Sequence, residues 1–365
     1  MNILFEPFQI GSIKLRNRFV RSATQDWLGN ADGSISAREE ELYESLAANE
    51  TGLIITAHAY VAHPLGRASI RQNAIFDDRF IDGFHRLADV VHKHGARLVI
   101  QISHAGRQSS PDLTEGLLPA GPSPVTDSST GITPRELSEE EIWHIIDAFA
   151  AAAGRAKTAG ADGVQIHMAH GYLLAQFLSP YTNRRTDAWG GNLDNRIRIV
   201  REIITRCRAA VGPEFPVLAK LNSTDGFTGP GYLSLDDVIE TAKRLEKWGF
   251  SAIEISGGMR EAKDCMSRPG ILKPEQEGYF AAAAKAVKAA VSIPVILVGG
   301  LRSLTVMQQL VASGVCDLIS LSRPFIRQPD LVKKFRLGLE KVSCVSCNLC
   351  FNPEGLKCRY RENQS

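Results

Sequence analysis

The stretch Gly163-Val164-Gln165-Ile166-His167-Met168-Ala169-His170-Gly171-Tyr172 begins as a buried strand and ends in a glycine-containing turn. At a period of two residues, Val164 and Ile166 face one way and Gln165 and His167 the other. A strand continued to residue 170 would turn His170 away from His167. Gly171 points instead to a turn near Met168, which lets both imidazoles and the Tyr172 phenol converge at the strand's C-terminal end. Two imidazoles can hold a partly negative oxygen, and a phenol can deliver a proton. Three such groups at one strand end argue for a reaction site.

The same pattern recurs along the chain. Short apolar runs at 18–22, 53–57, 97–103, 163–168, 216–222, 252–257, 294–299 and 318–323 alternate with helical patterns at 36–49, 78–94, 138–159, 192–211, 234–248, 276–290 and 303–313. Ser138-Glu139-Glu140-Glu141 reads as a capping box, and Gly160 and Gly249 sit where helices should stop. Eight strand–helix repeats with apolar strands predict a closed parallel (β/α)8 barrel, a TIM barrel. A doubly wound open sheet would want Gly-x-Gly-x-x-Gly after the first strand, and Arg21-Ser22-Ala23-Thr24-Gln25 stands there instead. Residues 1–17 read as a hairpin covering the barrel's bottom. The barrel is expected over residues 1–342, with a short Cys-rich tail at 343–365. The loop from Ala105 to Leu137 is too long for a simple connection and reads as a rim or lid loop.

With 365 residues, 44% of them hydrophobic, the chain can bury one large core or two ordinary ones. A net charge of +2 with interspersed signs suggests neither nucleic acid nor a membrane surface. No apolar run is long enough to span a bilayer, and the N-terminal residues do not read as a signal peptide, so a cytoplasmic location is expected. Seven cysteines, four of them at Cys344, Cys347, Cys350 and Cys358, fit a reducing compartment and a local metal or thiol cluster better than a disulfide framework.

In such a barrel the site lies at the C-terminal strand ends. Those ends carry Ser22 to Gln25, Ala57, His58, Gln101, His104, His167, His170, Tyr172, Lys220, Asn222, Ser256, Gly257, Gly258, Gly299, Gly300, Ser322 and Arg323. Gly299 and Gly300, a helix N-terminus and Arg323 at strands seven and eight match the usual barrel phosphate site. Gln101 can read a heterocycle edge, and Lys220 can stabilise negative charge on it. A lysine inside an apolar strand needs a partner.

These motifs resemble the old yellow enzyme family of FMN-dependent ene-reductases, in the NADH:flavin oxidoreductase superfamily. The resemblance rests on Leu15 to Val20, Gln101 to Arg107, His167 to Leu173, Phe177 to Pro180, Asn183 to Asp187, Gly190-Gly191, Asn195-Arg196 and Val298 to Gly300, and covers about residues 2–340. It implies an enzyme with bound FMN, NAD(P)H as reductant and a small unsaturated substrate, with a homo-oligomer allowed. Gln101 and Lys220 would bind the flavin pyrimidine edge, and Ser22, Ala23, Thr24 and Gln25 would lie along the ring, with Ala57 also on the cofactor side. Ser256, Gly257, Gly299, Gly300, Ser322 and Arg323 would hold the phosphate. His167 and His170 would bind the substrate oxygen, Tyr172 would protonate, and Trp27 would contact substrate. The chain departs from the family at Lys220, where many members have Arg, at Gln25, where Thr or Cys is frequent, and at Trp27, where one branch has Tyr.

The four tail cysteines resemble the cluster-binding segment of the dienoyl-CoA reductase branch, with shorter spacings. They could carry a [4Fe–4S] cluster, zinc or nothing. Two other readings of the chain stay open. One is a flavin-free barrel lyase or aldolase using Lys220 as a Schiff base; the other is an electron-transfer flavoprotein subunit.

Overall fold

The computed structural model describes residues 2–361 except 230 and 264. An antiparallel hairpin comes first, β1 (Phe8–Ile10) with β2 (Ile13–Leu15). Eight strands then form the barrel wall. In chain order they are β3 (Phe19–Arg21), β4 (Leu53–Ile55), β6 (Arg97–Ser103) and β9 (Gly163–Met168), then β10 (Val217–Asn222), β11 (Ala252–Ser256), β12 (Val295–Leu297) and β13 (Leu318–Leu321). All neighbours are parallel; β13 pairs with β3, and β4 with β6, so the sheet closes on itself. A two-residue β5 (Ala59–Tyr60) extends the edge of β6.

Alternation along each strand sorts the barrel into layers. Val20, Leu53, Ile55, Val99, Leu218, Ala252, Ile296 and Leu318 form one buried cluster with Ile10, Ile13 and Leu15 of the hairpin. Leu53, Ala252 and Leu318 are the first residues of their strands. The hairpin therefore seals the N-terminal end, as expected. Burying each such aliphatic side chain contributes about 1.5–3 kcal/mol, so the floor is well held. Polar interior residues occupy the layers above it.

The helices are α1 (Ala37–Ala48), α2 (Ile81–His92), α3 (Glu139–Thr158), α4 (Leu173–Leu178), α5 (Leu193–Arg196), α6 (Arg198–Val211), α7 (Leu235–Lys247), α8 (Ala281–Lys288), α9 (Leu304–Ala312), α10 (Arg323–Arg327) and α11 (Leu331–Arg336). The box at Ser138 is present, Ser138 accepting from Glu141 N–H and Glu141 accepting back. Three expectations shift. The helix expected from 276 starts at Ala281, behind a 3-10 turn at Pro274–Gln276. The 192–211 helix is broken at Ile197. Helices α4, α10 and α11 are too short to show a period in sequence.

The loop 105–137 carries a small strand pair, β7 (Ala120–Gly121) with β8 (Arg135–Glu136). It is fastened rather than free: Arg185 donates to Pro122 and Leu137 carbonyls, and Gln176 accepts from Arg107 N–H. The cysteine tail is laid against the barrel. Val342 N–H donates to Arg302 O, Gly270 N–H to Ser346 O, and Leu356 N–H to Asp26 O. Among the described residues no helix is long and apolar enough to cross a membrane.

Candidate active site

Strand β9 ends at Met168, and the chain turns through two left-handed residues, His170 (φ 63°) and Gly171 (φ 76°). A β-carbon on Gly171 would lie 2.8 Å from Met259 Cβ and would also strike Gln108, so only glycine fits this turn. Asn222 at the end of β10 accepts from His170 N–H at 3.1 Å and holds the turn. The ring centroids of His167 and His170 lie 5.1 Å apart, and those of His167 and Tyr172 4.9 Å apart. The expected convergence is therefore present.

Burial, reinforced by neighbouring positive groups, pushes His167 and His170 well below the usual imidazole range, so both are neutral. Their tautomers follow from their partners. Ala169 N–H donates to His167 Nδ1 at 3.3 Å, which leaves His167 Nε2–H as a free donor. His170 Nε2 lies 2.7 Å from Ser256 Oγ. His58, at the end of the second wall strand, completes the group. Its Nδ1 lies 2.8 Å from Ser103 Oγ and 3.1 Å from Gln72 Nε2, and its Nε2 faces Tyr172 Oη at 3.4 Å. This is the one hydrogen-bonding contact of Tyr172 Oη among the described residues. Burial raises the Tyr172 pKa, with Arg260 opposing, so the phenol is protonated at neutral pH.

Below these rings lies a closed polar network centred on Glu254 of β11, which is fully buried. Glu254 Oε1 accepts from Ser22 at 2.7 Å and Ser320 at 2.8 Å, and Lys220 Nζ lies 3.3 Å away. Its Oε2 accepts from Gln165 at 2.9 Å, and Gln165 Oε1 accepts from Gln101 at 2.6 Å. Lys220 also donates to Ser22 at 2.8 Å. Burial pushes the Glu254 carboxyl up, but Lys220 and the three side-chain donors outweigh it and hold the group ionised. Burial lowers Lys220, opposed by Glu254. The partner that an interior lysine requires is thus Glu254.

A cavity of about 470 Å³ opens over this network, within the usual size range of ligand pockets. Its lining includes Ser22, Ala23, Thr24, Gln25, Trp27, His170, Tyr172, Lys220, Ser256, Gly299, Gly300, Ser322 and Arg323. Both amide atoms of Gln25 are buried without a partner, an unmet demand that a polar heterocycle could satisfy. Four expected residues do not line it. Gln101 is spent on Gln165, and Ala57 gives its N–H to Tyr43 Oη at 2.8 Å. Gly257 packs against Phe280 and Ser223, and His167 stands behind His170 and Tyr172.

The phosphate end also differs in detail from expectation. The N–H groups of Arg302 and Ser303 at the start of α9 are already taken by Glu277, at 2.7 and 2.8 Å. What faces the cavity is the glycine pair, Ser322 and the start of the short α10. Ser256 was expected at the phosphate and instead touches His170. Arg323 is shared with the tail: it donates to Asn348 Oδ1 at 2.7 Å, Arg268 O at 2.9 Å and Ser346 O at 3.3 Å. Ser346, Asn348 and Phe351 consequently form part of the cavity wall.

Cys344, Cys347, Cys350 and Cys358 all line one small void of about 10 Å³ next to Arg323 and Arg327. That is room for about one water molecule. Among the described residues no three His, Cys, Asp or Glu side chains gather as a metal ion requires. The donor chemistry suits a thiolate-bound group, but the arrangement is not that of a formed zinc site.

Glu254, Arg260 and the tail's part in the wall were not anticipated, and His58, placed among the strand-end residues, had no role assigned. Glu254 had a signal, an acid in the middle of the apolar run Ala252–Ser256; the others depend on loops meeting in space.

A model of the NADH:flavin oxidoreductase / NADH oxidase family matches residues 3–341. The NADH oxidase of Thermoanaerobacter brockii is 40% identical over 350 residues, 95% of this chain and 53% of that protein. The NADPH dehydrogenase of a Geobacillus species is 34% identical over 328 residues, 90% of this chain and 92% of that protein. The old yellow enzyme homologue of Zymomonas mobilis superimposes with a TM-score of 0.77 at 25% identity, covering 94% of this chain and 95% of that one. The chain spans about half the length of the first curated relatives it matches. With a closed (β/α)8 barrel and a match over nearly the whole chain, this protein belongs to the NADH:flavin oxidoreductase / NADH oxidase family, that of the old yellow enzymes.

Proposed function

We propose that the chain binds FMN and, with NAD(P)H as reductant, reduces carbon–carbon double bonds activated by a carbonyl, carboxylate or nitro group. The observation that carries this reading is a neutral His170 and the Tyr172 phenol on the wall of a cavity based on Lys220 and Ser22, with the neutral His167 packed edge-on against both. FMN held there would supply hydride to the substrate's β-carbon. Lys220 and Ser22 would meet its polar edge, Gln25 its ring, and Gly299, Gly300, Ser322 and Arg323 its phosphate. His167 Nε2–H and His170 would hold the activating oxygen and draw charge from the alkene. Tyr172 would give its proton to the α-carbon, with His58 Nε2, 3.4 Å from the phenol oxygen, orienting it. Trp27 would wall the substrate.

The unpaired thiols favour a reducing setting, and we place the protein in the cytoplasm. Four thiolates suit a [4Fe–4S] cluster and zinc alike, but among the described residues they do not gather as either group requires, and we assign the tail no metal and no step. Iron, zinc and acid-labile sulfide assays on anaerobically purified protein test this; neither iron nor zinc leaves a structural tail.

The purified protein should be yellow and release one FMN per chain on denaturation; FAD rejects the cofactor assignment, and no flavin after reconstitution rejects the reading and revives the Lys220 lyase. A phenolate such as para-hydroxybenzaldehyde should bind at the imidazoles and give a long-wavelength charge-transfer band. If His167→Ala keeps that band and its affinity, the oxygen-binding role is wrong.

A further inference from the structure

Among the described residues three charged side chains line the cavity, and all three are cations: Lys220, Arg323 and Arg260. Two are already answered. Lys220 has Glu254, and Arg323 has Asn348 and the carbonyls of Arg268 and Ser346. Arg260 is exposed at the mouth, and no hydrogen bond or ion pair holds it among the described residues. Among the described residues no Asp or Glu lines the cavity to neutralise it.

Its backbone is nonetheless fixed on both sides. Met259 forms a parallel bridge with His170 and donates its N–H to Asp225 O at 3.1 Å. Glu261 is buried in an ion pair with Arg107 and accepts from Ser128 N–H at 2.8 Å. Arg107 in turn donates to the Val125 and Thr126 carbonyls of the rim loop. An unpaired guanidinium is thus carried on a pinned turn beside the imidazole-bearing turn, near enough for its charge to act on the Tyr172 phenol. A guanidinium offers a planar fork matched to carboxylate and phosphate oxygens.

We propose that Arg260 is an anion-recognition residue at the active-site mouth, taking the carboxylate of an unsaturated substrate whose activating oxygen sits on His167 and His170. The inference rests on the reading of this cavity as an alkene-reducing site and narrows it to anionic substrates. A phosphate of the pyridine nucleotide shares the same chemistry and could reach the same mouth, so the test separates the two.

The substrate pair is 3-benzoylacrylate and its methyl ester, each with a ketone on one side of the alkene. The ester is the intrinsically more electron-poor alkene, so a preference for the acid must come from the protein. In the holoenzyme the acid-to-ester ratio of kcat/KM should exceed one, and Arg260→Gln should lower that ratio by about 10- to 100-fold, the loss of one charge-assisted contact. Arg260→Lys should recover part of it. Calorimetry with the saturated acid, 3-benzoylpropionate, reads the contact without turnover, and its affinity should fall in Arg260→Gln by a similar factor. An unchanged ratio and affinity overturn the proposal even if both alkenes are reduced. A loss confined to flavin reduction by NADPH, with the ratio intact, also overturns it and moves the anion to the nucleotide. If neither alkene is reduced, the function on which the proposal rests fails, and the calorimetric result still decides for or against the anion contact.

Discussion

The barrel holds two polar layers that differ in how their groups are satisfied. In the lower one, Glu254 accepts from Ser22, Ser320 and Gln165 beside Lys220, and Gln165 is closed by Gln101. In the upper one, Tyr172 has a single 3.4 Å contact, His167 keeps a free donor, and Gln25 has no partner for either amide atom. A buried group with its partners supplied contributes to folding. A buried group without them has been left for something else, since leaving it unmet costs about 1–3 kcal/mol. The lower layer is therefore scaffold, with Ser22 and Lys220 as the face it turns to the cavity, and the upper layer is site.

If that division is right, changes in the two layers should separate activity from stability. The largest effect is expected at Tyr172. Tyr172→Phe removes the phenol proton donor and one long contact, so the alkene half-reaction should slow by about 10²–10⁴, the usual contribution of a positioned acid. Flavin reduction by NAD(P)H should stay within a few-fold, and urea unfolding should be nearly unchanged. Stopped-flow measurement of both half-reactions decides it. Equal slowing of the two would place Tyr172 in the scaffold.

The converse is expected at Glu254. Glu254→Ala leaves the Lys220 ammonium buried without a counter-charge and strips four groups of an acceptor. Breaking such a pair costs about 3–5 kcal/mol. Urea unfolding of the apoprotein measures it, and a loss under about 1 kcal/mol would show that the network only fills space. A smaller effect is expected where the layers meet the tail. Arg323→Ala should weaken FMN binding by about tenfold or more through loss of a charge-assisted contact. Because Arg323 also holds Ser346 and Asn348, limited proteolysis should then cut faster near residue 346. Weaker flavin binding with an unaltered digest would mean that the tail does not depend on this arginine.

How much of this could be read from the sequence follows the same division. Eight strands and the sealing hairpin were legible because burial imposes a period on each segment. The rim residues were legible because a barrel puts every strand's last residues in one place. Lys220 was correctly marked as needing a partner, but Glu254 was not chosen. The pairing of Lys220 with Glu254 appears only when β10 and β11 are set side by side in register. Arg260, and the part His58 plays beyond its place at a strand end, were beyond reach for another reason. Their roles depend on loops crossing to the β9 turn, and loop paths carry no period. The tail's contribution to the cavity wall is of this kind too.

The smallest predicted effect concerns His104, which closes the strand before the rim loop and lies outside the cavity. It is buried, and its Nδ1 accepts from Gly106 N–H at 3.0 Å. Burial depresses its pKa to about 4. An unfolded histidine titrates near 6.5, so the unfolded chain binds this proton first as pH falls. The stability from keeping His104 neutral is fully present above about pH 6.5 and is lost as pH drops toward 4. Asp26, raised to about 6, and Glu39, raised to about 8, act in the opposite sense, because burial keeps them protonated where the unfolded chain has lost the proton. The absolute pH profile mixes these terms, but a difference between two proteins does not. Asparagine can supply the acceptor for Gly106 without titrating. Between pH 5 and 6, wild-type unfolding free energy should rise with pH more steeply than that of His104→Asn, by about 1 kcal/mol per pH unit. Urea melts at three pH values suffice. Parallel profiles would mean that His104 is already charged in the folded barrel and that it, too, has a partner still to be found.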